Sequence, residues 1–232
     1  MKTIISLLRG INVSGQNKIR MPEMKGLSES LGLVHVETYI QSGNVVFDCE
    51  EQDLAKLARI IEAGIARSFR LSVRVLLRYK DRFQEILSSN PFVNQRNEDP
   101  ERLHVTFLSE APTVLALRDL PSSVGDPLWG RCCFPERHRD NVVAQNAPRN
   151  DITERRNGFS TKDDCGRNNW KESGAGKEDE FLVHDREIYL FCPNGYGRTK
   201  FSNTFFERRL NVSATTRNWK TVNALFEMAN QR

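Results

Sequence analysis

Near the C-terminus the stretch CPNGYGRTKFSN sets Gly195 and Gly197 two residues apart, followed by Arg198, Lys200 and Ser202. Each residue type is useful for holding an anion. Glycine lets backbone amides turn toward one point, arginine offers a planar two-pronged donor, and lysine adds a compact charge. Ser202 or Asn203 is placed to cap a following helix, whose N-terminus presents free amides and the positive end of a dipole. The spacing is not that of a GxxxxGK[ST] phosphate loop, nor of GxGxxG, because Lys200 stands three residues beyond Gly197. A glycine-rich turn with solvated cations has the same composition, and the residues weigh the two readings about evenly.

A second loop, RGINVSGQNK, is alike in kind. Arg9 follows an apolar run, with Gly10, Asn12, Ser14, Gly15 and Lys18 beyond it. A third cation, Arg217, lies in SATTRNWKTVNAL. Thr215 or Thr216 is expected to cap a helix there, leaving Arg217 in the first turn, where a positive charge opposes the helix dipole. The plain alternatives are an arginine in solvent or stacked on Trp219, itself expected in the core. The expected anion contacts are therefore Arg9, Asn12, Lys18, Gly195, Gly197, Arg198, Lys200 and Arg217. If two halves of the chain pack as a pseudo-dimer, these loops converge.

Catalytic patterns are sparse. His35, His104 and His184 fall in or beside predicted strands, and no catalytic residue is assigned. Cys192 directly precedes the glycine loop and is a nucleophile candidate, but a buried strand-end cysteine is the commoner case. The five cysteines lack the spacing of a zinc site, so no metal is expected, and no cofactor is indicated. An odd cysteine count without a leader-like start points to a reducing cytoplasm. No apolar run approaches the ~18 residues of a membrane span. The net charge of +4 permits phosphate-bearing partners without requiring them.

The elements that must position these residues follow from periodicity. TIISLL (3–8) reads as a strand, a helix starts at Pro22, and VETYIQSGNVVFDC is the best hairpin signal, turning at Gly43-Asn44. Val36, Thr38 and Ile40 are expected on one face of it. A helix with an apolar stripe spans 51–69, and SVRVLL (72–77) closes a β-α-β-β-α-β unit of ferredoxin-like order. A second round follows, with a helix ending before Pro91, a strand at 102–108, a helix at 111–120 and a hairpin at 180–192. Helices at about 203–210 and from Thr216 come next, the last in place of a final strand. The fold class is α+β, with two ferredoxin-like units of antiparallel sheet packed together: residues 1–79, and 80–124 with 177–232.

Residues 125–176 hold neither period. Nine basic and eight acidic side chains leave this stretch near neutral. A connection this long without structure is uncommon inside a domain. It is expected to be a disordered in-frame insertion, such as a translated mobile element.

The stretches LLRGINVSGQNKIRM, YIQSGNVVF and CPNGYGRTKFSNTFFERRLNVSATTRNWKTVNAL resemble a bacterial family of unknown function, domain-of-unknown-function family 1697. The likeness covers about 1–120 and 177–229. It implies a two-part α+β fold and carries over no activity, ligand or site residue. Three classes of function remain in view. First is binding of a phosphate-bearing small molecule or nucleotide. Second is a nucleic-acid-binding module, ranked lower because the strands lack RNA-recognition aromatics. Third is a non-catalytic interaction protein.

Overall fold

The computed structural model describes residues 1–13, 15, 17–118, 120 and 178–232, and the expected insertion at 125–176 lies outside the described residues. The first round of elements is β1 (Lys2–Leu8), α1 (Met21–Ser30), β2 (Val34–Tyr39), β3 (Asn44–Cys49), α2 (Leu54–Phe69) and β4 (Val75–Tyr79). Two short helices, α3 (Lys80–Ser88) and α4 (Pro91–Asn94), lead to the second round. That round is β5 (Leu103–Leu108), α5 (Val114–Arg118), β6 (Glu180–His184), β7 (Glu187–Phe191), α6 (Asn203–Leu210) and β8 (Ala214–Asn218), closed by α7 (Trp219–Asn230).

The sheets have the strand orders β2-β3-β1-β4 and β6-β7-β5-β8. These are the same order, and every pairing is antiparallel. Each is the ferredoxin-like split unit. The likeness extends to single hydrogen bonds. Val75 N–H donates to Glu62 of α2 at 2.9 Å, and Ala214 N–H donates to Glu207 of α6 at 2.9 Å. Both helices end on a left-handed residue, Arg70 and Asn211.

The alternation of side chains along β1 explains the layering. Ile4 and Leu8 face a core under α1 and α2, whereas Ile5 and Leu7 face the opposite way. That second core also takes Val105 and Phe107 of β5, Phe83 of α3, and Trp219, Val222 and Leu225 of α7. A third core lies under α6, built on Leu108, Ile188, Phe201 and Phe206. Helices therefore cover both faces of both sheets. Each fully buried Leu, Ile or Phe contributes roughly 1.5–3 kcal/mol.

Several expectations are corrected. The second round does end in a strand, β8, paired to β5, and α7 begins three residues later than expected, capped by Asn218 accepting from Thr221 N–H. Arg217 is thus a strand residue, one position before the N-cap of α7 rather than in its first turn. The fourth strand occupies 75–79 rather than 72–77. Ile40 lies beyond β2, exposed by 53% and at φ +49°, instead of on a buried face. In the turn it is Ile40 and Gly43 that take positive φ, and Asn44 does not.

Candidate functional site

The eight expected anion contacts fall into two groups, one in the loop before α6 and one where β1 and β8 meet. Gly195, Gly197, Arg198 and Lys200 stay with the loop between β7 and α6. Gly195 takes φ +87°, which a side chain resists, and a single 3-10 turn, Tyr196–Arg198, follows it. Ser202 caps α6 by accepting from Phe205 N–H at 3.3 Å. Gly197, Arg198 and Lys200 are exposed. The Arg198 side chain makes no hydrogen bond or ion pair among the described residues. The Lys200 ammonium lies 5.4 Å from the Phe201 ring centre.

Beneath this loop is a polar cluster that the sequence reading did not assemble. The Tyr196 ring stacks on His104 of β5 at 4.8 Å. Thr216 shares a 2.7 Å hydrogen bond with Thr106, and its hydroxyl is 2.6 Å from Asn203 Oδ1. His104 is 9% exposed and its Nδ1 has no partner. Burial pushes the imidazole pKa down, which keeps the ring neutral near pH 7. Cys192 is buried and its thiol is pushed up to about 11 by that burial. A protonated, covered thiol is a poor nucleophile, so the structural reading of Cys192 prevails.

The second group, Arg9, Asn12 and Arg217, meets at the seam between the two sheets. Asn12 locks its own loop and ties it to the β2–β3 turn. Its Nδ2 donates to Ile19 O at 2.9 Å and Gln41 O at 2.8 Å, and its Oδ1 accepts from Ile19 N–H at 2.9 Å. Arg9 forms a bidentate pair with Glu207 of α6, both contacts at 2.5 Å. Lys18 is exposed in the same loop. Segments far apart in the chain thus converge at one place, but Asn12 is a brace there and not a free ligand contact.

Arg217 is only 8% exposed. Its Nε donates to Asn44 Oδ1 at 2.6 Å and its Nη2 to Leu8 O at 2.9 Å and Ser42 O at 3.0 Å. Nη1 donates to Thr215 Oγ1 at 2.8 Å and Thr216 O at 2.9 Å. Burial pushes its pKa down to about 10, still well above neutral pH. The matching residue of the first unit is Arg78, since Arg78 is in register with Ile5 and Arg217 with Val105. Arg78 Nε donates to Glu187 Oε1 at 2.7 Å, and its Nη2 donates to Leu108 O at 2.6 Å. Each arginine therefore clamps the other unit at the end of its first strand and at its hairpin. Their partners differ in charge. Glu187 is a carboxylate shared with Arg82, whereas Asn44 is neutral, and no carboxylate among the described residues touches Arg217.

An open cleft of about 590 Å³ lies on the other side of the seam, lined by Lys2, Tyr79, Lys80, Arg82, Asp185 and Arg186 among others. None of the eight expected contacts lines it, and within it Arg82 pairs with Glu85 and Asp185. Among the described residues no group of three His, Cys, Asp or Glu is placed to hold a metal, and no helix is long and apolar enough to cross a membrane.

A family model described as a protein of unknown function, DUF1697, matches residues 1–127. The chain belongs to this family. A solved structure of a conserved bacterial protein from Streptococcus pneumoniae matches with a TM-score of 0.61 at 21% identity, over 98% of each chain. At that identity the likeness establishes the fold alone. No curated protein matches this DUF1697 chain.

Proposed function

We propose that this DUF1697 protein binds a phosphate-bearing small molecule or nucleotide at the Gly195–Lys200 loop and the start of α6. The observation that carries the reading is the exposed guanidinium of Arg198, without a hydrogen bond or ion pair among the described residues, in a turn that opens at Gly195. Lys200 and the first turn of an eight-residue helix follow it directly. A free arginine fork gains two charge-assisted hydrogen bonds from a phosphate, and helix amides favour the same charge. Nucleic-acid binding on an open sheet face has less support, because helices cover both faces of both sheets.

The test is thermal unfolding with ADP or inorganic pyrophosphate at constant ionic strength. The wild type is expected to show a saturable rise in Tm, equivalent to about 2.7 kcal/mol at a hundred times Kd. Arg198→Ala/Lys200→Ala should lose most of it. No rise in the wild type, or an equal rise in the double variant, would overturn the reading.

A further inference from the structure

We propose that the seam above Arg217 is a second anion subsite, which takes inorganic phosphate or another small oxyanion against Arg9. The inference goes beyond the glycine-loop reading and does not depend on it. It rests on the comparison of the two arginine clamps. They match donor for donor: Nε to the first residue of the hairpin's second strand, Nη2 to the last residue of β1 or β5, and Nη1 to the preceding carbonyl. The first clamp is neutralised internally by Glu187. Among the described residues the second holds a full positive charge against neutral acceptors alone. Buried charges in folded proteins are normally paired, so an isolated one marks a place where the compensating charge comes from outside.

The surroundings allow that charge to arrive. Leu8, whose carbonyl Arg217 holds, is followed by Arg9, with a side chain one-third exposed. Gly10, Asn12 and Ser42 are also partly exposed, so solvent reaches the residues next to the clamp. An oxyanion there is met directly by the Arg9 guanidinium, in exchange for part of its pairing with Glu207. It lies in the field of Arg217 without displacing any of the five buried bonds.

The test separates this subsite from the glycine loop. Phosphate-dependent Tm is measured at constant ionic strength in the Arg198→Ala/Lys200→Ala background, where a saturable rise should persist. Adding Asn44→Asp places a carboxylate against Arg217 and should raise the midpoint phosphate concentration at least tenfold. Asn44 also donates to Tyr39 O and Ser42 Oγ, so Arg9→Gln provides a second variant that leaves the clamp intact and should give the same loss. No rise in the Arg198→Ala/Lys200→Ala background overturns the proposal, as does a rise unchanged by Arg9→Gln.

Discussion

Arg217 and Arg198 are both arginines of the same C-terminal region, yet their surroundings assign them opposite roles. Arg217→Ala removes the donor to Asn44 Oδ1, Leu8 O and Ser42 O at a buried seam. Each buried acceptor left unmet costs about 1–3 kcal/mol, so a loss of at least about 3 kcal/mol is expected in urea unfolding. Arg198→Ala, at an exposed side chain without partners among the described residues, should stay within about 0.5 kcal/mol of wild type. Equal costs would contradict this division. His104 supplies a pH prediction. Its folded-state pKa is depressed by burial, so the unfolded chain takes up a proton first as pH falls through about 6.5. The unfolded state then binds more protons, and stability is lost from that point downward until the folded pKa is crossed. Urea midpoints at pH 7.5 and 5.5 should diverge in the wild type and converge in His104→Phe. An unchanged gap in the variant would rule out His104 as the source.

Gly43 shows what the β2–β3 turn demands of its element. Its φ is +75°, and an added Cβ would lie 2.7 Å from Ile11 Cδ1 and 2.8 Å from Leu8 Cβ. Gly43→Ala combines backbone strain with overpacking and should cost about 2–4 kcal/mol, read as a lower urea midpoint with the slope preserved. The same scale explains what was legible in the sequence. The hairpin at 180–192, the helix at 203–210 and β5 are visible because their side chains alternate, or recur, in agreement with their burial. The two strands misjudged, β4 and β8, both end around a buried arginine. Arg78 and Arg217 look like surface residues to any local pattern. What buries them is an acceptor set 30 to 209 residues away along the chain, which no window on the sequence contains. The eight candidate contacts were found by residue type, but type alone could not tell a braced asparagine or a clamped arginine from a free one. The His104–Tyr196 cluster was missed for the same reason: its members are brought together only by sheet register.

The described residues form two like sheets fastened across one seam, and the fastening is unequal. Glu187→Gln would leave Arg78 buried with no opposite charge and is expected to cost about 3–5 kcal/mol. A loss well below about 3 kcal/mol would contradict the view that Glu187 compensates the buried charge of Arg78. Joining residue 124 to 177 should leave the two-sheet unit folded, with cooperative unfolding near that of the full chain. A collapse of that transition would show that the segment is needed for the fold. The most direct test of the binding account is a crystal structure grown with inorganic pyrophosphate. The account predicts the anion between Arg198, Lys200 and the first amides of α6. Clear density for it elsewhere, with Arg198 and Lys200 still extended into solvent, would contradict it.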